Sequence, residues 1–338
     1  MTRSNINFVE ICTVSGLGHL QGTPQPVSGG LVHRMWRVDT DKGSFAMKVL
    51  NEEIMARPDA KSNYRLSERV AIMAHRNGIP AVLAKMTDGD PWIELDGHYV
   101  MVFNWVEGHS LVPEQCTDEH SKSIGQLLFQ LHNLRLQFDD WETPTTAPIT
   151  EDTWQSHIEQ AEQTISCWGF SHNTLLRGVL SWSRLYEGAT EALGGRLIIS
   201  HRDLDCKNVI WAADNTPFLI DWESAGYIHP TVELVEGAIN WSRSGDGTFN
   251  KKRFQVLIQT YLGAGGKFYG NSVDAVYGTL GGSLGWLEYN MRRSIEQDKF
   301  DSDQRELGKR QVQQTIRELY GTNTLFHQYG IWIDELLK

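Results

Sequence analysis

Two short stretches of this chain carry more oxygen ligands than a core-forming segment ordinarily tolerates. Residues 201–211 read HRDLDCKNVIW, and residues 218–224 read FLIDWES. Asp203, Asn208 and Asp221 thus stand beside strand-like apolar residues, where polar groups are costly unless they hold something charged. Asp203 and Asn208 lie five positions apart in a loop after the strand-like LIIS, and Asp221 closes the next strand, eighteen residues beyond Asp203. Folding that hairpin back on itself brings Asp221 beside Asn208. The pair then offers two hard oxygens to Mg²⁺, an ion that takes one or two protein oxygens and completes its shell with phosphate and water. Asp203 is left to accept a hydroxyl proton. Metal, base and cleft together point to phosphoryl transfer from a nucleotide. Asp and Asn in loops commonly cap turns, but His201-Arg202-Asp203-Leu204, Asn208 and Ile220-Asp221 in this order go beyond turn chemistry.

The elements that must position these groups are readable on either side. Residues 32–50 (VHRMWRVDTDKGSFAMKVL) alternate about a turn at Asp41-Lys42-Gly43, the pattern of a hairpin. Residues 61–77 carry Leu66, Val70, Met73 and Ala74 at helical spacing, with Gly78 as a stop. HYVMVFNWVEG (98–108) reads as an apolar strand ending in a polar turn. Thr117, before Asp118 and Glu119, caps a helix holding Ile124, Leu127, Leu128 and Leu131. A Pro/Thr loop at 143–150 leads to helical stretches near 151–168 and 173–193, and the pattern is helical again through 231–243, 251–263, 273–296 and 303–337. This organisation predicts an α+β chain of two lobes. A strand-rich N-terminal lobe (1–103) holds an antiparallel sheet and one helix, 104–109 is the joint, and 110–338 forms a larger, mainly helical lobe. Ligands favour the cleft at such a joint.

Bulk composition narrows the partners. The 338 residues are 40% apolar and 22% charged, with a net charge of −11, an ordinary globular composition. The negative balance argues against nucleic acid, whose phosphates require basic patches. No run approaches the length of a membrane span, and MTRSNINFVEIC lacks the features of a signal peptide. Cys12, Cys116, Cys167 and Cys206 are scattered without metal-ligand spacing, so a reducing cytoplasmic setting is expected. A monomer is expected, with higher assembly left open.

HRDLDCKN followed by LIDWE resembles the catalytic and metal-binding loops of the protein-kinase-like superfamily. It is most similar to the aminoglycoside phosphotransferase and choline kinase branch, whose usual form is HGDLHxxN followed by IDWE or IDFE. The resemblance spans residues 27–240 and implies a bilobal protein-kinase-like fold. It implies an enzyme that uses Mg²⁺ and ATP or GTP to phosphorylate a hydroxyl group of a small molecule. An aminoglycoside or other antibiotic is the first expectation, which would make this a resistance enzyme; a choline-, homoserine- or sugar-type metabolite is the alternative. Residue by residue, Asp203 matches the catalytic base, and Asn208 and Asp221 match the metal ligands. Lys48, in FAMKVL, matches the lysine that grips the nucleotide phosphates, and Glu68 matches its ion-pair partner. Main-chain groups of Asn104 and Val106, in MVFNWVEG, match the adenine-binding hinge, and Ser28, Gly29 and Gly30 a loose phosphate-binding loop.

Several positions depart from that pattern. Arg202 stands where the branch usually has Gly, and Asp205 where protein-Ser/Thr kinases carry a lysine, with Lys207 close by. Trp222-Glu223 follows the metal aspartate, and no long activation segment separates it from PTVELVEGAINW, so a protein substrate is not expected. His229-Pro230 replaces the Asp-Pro pair that often opens this helix. The acceptor should lie beside Asp203, with Asp205, Glu233, Glu236, Trp241, Asp246, Glu288 and Tyr289 as candidate contacts. A polycation would want the carboxylates and a choline-like cation the aromatic rings; both types are present, and the sequence does not choose.

Two rival readings remain at this level. GGSLG (281–285) fits the nucleophile elbow of a serine hydrolase with Ser283 as nucleophile, but its flanks look helical where a strand is required. A catalytically silent nucleotide-binding protein of the same fold is the other, and intact Lys48, Asp203, Asn208 and Asp221 argue against it.

Overall fold

Alternation of apolar side chains decides the first layer. β2 (Arg34–Thr40) and β3 (Gly43–Val49) form the expected hairpin, with Val38 opposite Phe45 and Trp36 opposite Met47. The computed structural model describes residues 6–27, 32–141, 149–245 and 247–338. In it β1 (Gln25–Val27), β4 (Ile93–Leu95) and β5 (His98–Asn104) complete an antiparallel sheet in the order β1-β2-β3-β5-β4. Met47, Val49, Val100 and Val102 share one face and pack with Ile11, Cys12 and Leu17 around the short helix α1 (Phe8–Val14). Because successive strand residues point to opposite faces, Lys48 emerges on the other side, paired in register with Met101.

That other face is covered by α3 (Ala60–Arg76), which follows the one-turn helix α2 (Glu52–Met55). Tyr64, Ala60 and Met55 pack against Leu50 and Met101, while Val70, Ala71 and Ala74 join the large helical core. The helix stops at Asn77-Gly78, where Gly78 takes a φ of 82°, a conformation glycine adopts without penalty. α3 therefore touches both the sheet and the helices, which is what allows residues of the sheet to meet the catalytic loop.

The remainder is mainly helical. α4 (Asp118–Asn133) starts at Thr117, whose hydroxyl accepts the His120 amide. It is followed by α5 (Glu151–Thr164), α6 (His172–Leu193), α7 (Pro230–Ser242), α8 (Lys251–Gly263), α9 (Ser272–Gly278), α10 (Leu280–Ile295) and α11 (Ser302–Leu336). Their core includes Trp154, Trp241, Phe254, Leu257 and Tyr329, all fully buried. α4 packs closely on α8 because a Cβ at Gly125 would press on the Leu257 carbonyl. Among the described residues no helix is long and apolar enough to cross a membrane.

Five short strands carry the chemistry-bearing loops. β6 (His109–Ser110) pairs with β8 (Val209–Trp211), which pairs with β9 (Pro217–Leu219). β7 (Ile198–Ser200) pairs with β10 (Gly226–Ile228). Main-chain bonds from Val82 to Leu219 and from Leu219 to Pro80 tie β9 to the end of the α3 segment.

Three expectations change. The single helical stretch 273–296 is two helices broken at Thr279. The N-terminal lobe, expected to hold one helix, holds α1 and α2 as well as α3, and α1 is started by Asn7, whose side chain accepts the Glu10 amide. Ser283 lies inside α10, so the strand-to-turn geometry of a hydrolase elbow is not formed there. Gly281 serves packing instead, because a Cβ at that position would press into the Tyr186 ring.

Candidate active site

The hairpin β8–β9 brings the two oxygen-rich loops together as expected. The Ile220 amide donates to the Asn208 carbonyl at 3.0 Å, so Asp221 and Asn208 are neighbours across the ladder. Asp221 adopts a left-handed conformation, φ 61° and ψ 58°, at the start of the turn Trp222–Ser224. Such a conformation costs a non-glycine residue on the order of 1–3 kcal/mol and is usually retained for function. Both side chains line a cleft of about 1670 Å³, together with Lys48, Asn104, Val106 and Asp203.

His201 locks the two loops to each other. Its ring is fully buried; Nε2 donates to the Ile220 carbonyl at 3.0 Å and Nδ1 accepts the Asp203 amide at 3.3 Å. Burial holds its pKa down against the pull of Glu233 and Asp221, so the ring stays a neutral spacer. Arg202 follows with φ 66°, a backbone state that explains why glycine is usual at this position in the resembling family. Here its amide donates to Glu233 Oε1 at 2.7 Å, which holds the turn.

Asp203 lines the same cleft beside Asn208. Its Oδ2 accepts from Asn208 Nδ2 at 2.9 Å, and the same amide group bonds the Asp203 carbonyl at 2.8 Å. That commits the nitrogen of Asn208 to Asp203 and leaves its oxygen for the cleft. Burial raises the pKa of Asp203 to about 7, with Asp205 and Asp221 adding to the rise and Lys207 opposing it. Lys207 Nζ lies 2.9 Å from Asp205 and 3.8 Å from Asp203. The γ-phosphate position expected near Asp203 thus has a cation beside it, supplied by Lys207 in place of a lysine at 205.

Lys48 has changed partners relative to the expectation. Its Nζ lies 2.6 Å from Asp221 Oδ1 and 2.7 Å from Glu223 Oε2. Burial disfavours the ammonium, but Glu223 and Asp221 outweigh it and raise the pKa. Glu68 turns away: its Oε1 accepts the buried Ala84 amide at 2.8 Å, and burial raises its pKa to about 7. The physical reason is local. α3 places Tyr64, one turn before Glu68, at the cleft, and Tyr64 donates to Glu223 Oε2 at 3.3 Å. His33 completes the brace: the Asn51 amide donates to Nδ1 at 2.9 Å, and Nε2 lies 3.0 Å from Glu223. Burial alone would raise the Glu223 pKa, but Lys48 and His33 hold this carboxyl ionised.

The remaining candidates separate into cleft and core. Asn104 ends β5 opposite Phe45, and Trp105 beyond it donates to Ser44 O at 3.0 Å, so Asn104 and Val106 line the cleft at the edge of the sheet. Asp205, Glu236, Glu288 and Tyr289 also line it. Glu288 is engaged, with His157 at 3.1 Å and Arg292 at 2.7 Å. Glu236 is half-buried; burial, then Glu233 and Asp203, raise its pKa to about 8. Glu233 and Trp241 do not line the cleft. Glu233 is 3% exposed and bonds His132 Nε2 at 2.8 Å as well as the Arg202 amide. Trp241 is fully buried and its indole donates to Leu204 O at 2.9 Å. Both support the catalytic loop from behind. Ser28, Gly29, Gly30 and Asp246 lie outside the described residues.

The sequence reading missed Tyr64, His33 and Glu223 as lysine-bracing groups. Glu223, two residues after Asp221, was the one with a visible signal; the other two are placed only by tertiary packing. Among the described residues no three His, Cys, Asp or Glu side chains cluster as a metal cage. The Asn208 oxygen and the Asp221 carboxylate could offer two oxygens on the cleft, a number that suits an ion taking most of its shell from phosphates and water.

Residues 23–265 match a family model described as the phosphotransferase enzyme family. Among solved structures, a spectinomycin phosphotransferase in complex with ADP and spectinomycin superposes with a TM-score of 0.69 at 12% identity, covering 96% of this chain and 99% of that one. A choline kinase from Cryptosporidium parvum Iowa II gives 0.60 at 12% identity, over 98% and 99% of the two chains. An amicoumacin kinase in complex with AMP-PNP, Ca²⁺ and Ami gives 0.62 at 11% identity, over 93% and 94%. Likeness at these identities establishes a shared kinase-like fold.

Proposed function

This chain belongs to the phosphotransferase enzyme family, and from that premise we propose that it transfers the terminal phosphoryl group of ATP or GTP to a hydroxyl of a small molecule. The observation that carries the proposal is the convergence of Lys48, Asp203, Asn208 and Asp221 on one cleft. In this reading Asp203 accepts the hydrogen bond of the acceptor hydroxyl and takes its proton, aided by its elevated pKa. Lys48, braced by Glu223, Tyr64 and His33, meets the donor phosphates. Asn208 and Asp221 would hold Mg²⁺, which when bound neutralises charge on the transferring phosphates. Main-chain groups of Asn104 and Val106 would seat the base, with 104–109 as the joint between the strand-rich and helical lobes.

A drug-sized ligand ordinarily occupies about 300–1000 Å³, and this cleft is larger, about 1670 Å³. That volume leaves room for an acceptor alongside the nucleotide, either an antibiotic or a smaller metabolite. The acceptor end offers Glu236 and Asp205 for polar groups and Tyr186, Trp286 and Tyr289 for apolar faces. The scattered spacing of Cys12, Cys116, Cys167 and Cys206 along the sequence supports a reducing, cytoplasmic setting.

The test is an ADP- or GDP-release screen with Mg²⁺ against aminoglycosides, macrolides, peptide antibiotics, choline, homoserine and simple sugars. Acceptor-dependent release, with a phosphorylated alcohol identified by mass spectrometry, is the expected result. Tight nucleotide binding without transfer to any alcohol would favour a silent binding protein instead.

A further inference from the structure

A second surface cavity, of about 810 Å³, opens at the start of α4 and is lined by Glu114, Cys116, Thr117, Asp118, Asn250 and Arg253, among others. Cys116 forms part of this lining, and its sulfur lies 3.1 Å from that of Cys206, 90 residues away in sequence. Cys206 belongs to the catalytic loop. It opens the turn Cys206–Asn208, directly after Asp205. The Cys116 sulfur also lies 3.7 Å from the Val112 carbonyl. Both contacts are satisfied when Cys206 donates to Cys116 and Cys116 donates to Val112.

Cys116 is the reactive member of the pair. Arg253 Nη1 bonds the Cys116 carbonyl at 2.7 Å, and a neighbouring guanidinium favours thiolate. The Cys206 donor, with Arg253, lowers the Cys116 pKa against burial and the nearby Glu114 carboxylate, and Cys116 is the member of the pair on the cavity lining. By contrast, burial raises the thiols of Cys12 and Cys167. Glu114, Asp118 and Glu119 on the cavity lining disfavour an anionic oxidant such as oxidised glutathione and leave access to a small neutral one.

We propose that Cys116 and Cys206 form a peroxide-responsive thiol pair whose disulfide arrests the catalytic loop. The Cys116 thiolate attacks one oxygen of hydrogen peroxide; the O–O bond breaks and hydroxide leaves, giving a sulfenic acid. The Cys206 sulfur then attacks the Cys116 sulfur, the S–O bond breaks, and water leaves with the Cys206 proton. Two thiols are oxidised and one peroxide is reduced to water. A disulfide requires about 2.05 Å between the sulfurs, so the pair closes by about 1 Å from 3.1 Å, and in this proposal the closure draws on the turn Cys206–Asn208. Asn208, two residues from Cys206, is hydrogen-bonded to Asp203, and a shift of about 1 Å at such a site can cost on the order of 100-fold in rate.

The experiment treats the full chain with hydrogen peroxide, alkylates free thiols, and maps peptides by mass spectrometry alongside nucleotide turnover. The expected result is a peptide pair joined through Cys116 and Cys206, with turnover lowered by more than about tenfold and restored by dithiothreitol. Cys116→Ser and Cys206→Ser should neither cross-link nor lose activity on treatment. Alkylation of both cysteines after peroxide, a cross-link without loss of turnover, or equal loss in Cys116→Ser would each overturn the proposal. Should either variant fail to fold, the peptide map and reductant rescue of the unsubstituted protein decide the matter, and the map does not depend on which acceptor is used.

Discussion

Lys48 and Asp221, 173 residues apart in sequence, meet at 2.6 Å across the cleft. The contact joins the face of the sheet that α3 covers to the loop that would carry metal. Glu223 shares the same ammonium, so the lysine is positioned by the catalytic half of the molecule and not by Glu68 of α3. A hydrogen bond to a charged group contributes about 1.5–3 kcal/mol. Glu223→Gln should therefore raise the KM for the nucleotide donor by about tenfold or more. Glu68→Gln should leave it within about twofold. Steady-state kinetics with varied donor distinguishes the two, and a larger effect from Glu68 would restore the original assignment.

Glu68 should instead reveal itself in stability. Its carboxyl is 4% exposed and its pKa is raised by burial to about 7, above the ordinary carboxylate value near 4.3. The folded protein then binds more protons than the unfolded chain between these values, so the stability Glu68 contributes is present at low pH and is lost as pH rises through 7. Glu68→Gln keeps an oxygen for the Ala84 amide and removes the charge. Denaturant titrations should show the variant more stable by up to about 3 kcal/mol at pH 8, with the gap closing below pH 5.

Much of this architecture was legible because each element carries its own signal. Alternation named the hairpin of β2 and β3, Gly78 marked the end of α3, and Thr117 marked the start of α4. The spacing of Asp203, Asn208 and Asp221 encoded their convergence, since β8 and β9 are short and adjacent. What stayed hidden depends on packing between distant segments. Tyr64 and Glu68 lie one helical turn apart on α3, and only the docking of that helix selects which one reaches the lysine. Glu233 looked like a cleft carboxylate because it stands on the helix just beyond Asp221, where the acceptor is expected, yet α7 is buried along most of its length and the partner of Glu233, His132, lies on α4.

Glu233→Ala tests that inward placement. It strands the Arg202 amide and removes the buried partner of His132, and each buried group left unpaired ordinarily costs about 1–3 kcal/mol. The melting temperature and kcat should both fall, while the acceptor KM of the remaining folded enzyme stays within about twofold. A selective rise in acceptor KM would return Glu233 to the substrate site.

Gly108 immediately precedes β6, the strand that ties the joint to the hairpin of β8 and β9. A Cβ there would collide with the Trp211 carbonyl and the Ile210 side chain. Overpacking of this kind costs about 1–3 kcal/mol, so Gly108→Ala should lower the denaturant midpoint and weaken donor binding through displaced main-chain groups at 104–106. An unchanged midpoint would show that β6 yields freely.

Division of labour between the carboxylates at 203 and 221 is the core of the account. Asp203→Asn and Asp221→Asn should be compared by calorimetric titration with magnesium-nucleotide and by turnover on the identified acceptor. Asp203→Asn is expected to retain donor affinity within about threefold while turnover falls by about 10²–10⁴; Asp221→Asn should lose at least about tenfold in metal-dependent affinity. Near-normal turnover in either variant, or loss of donor binding confined to Asp203→Asn, would contradict it.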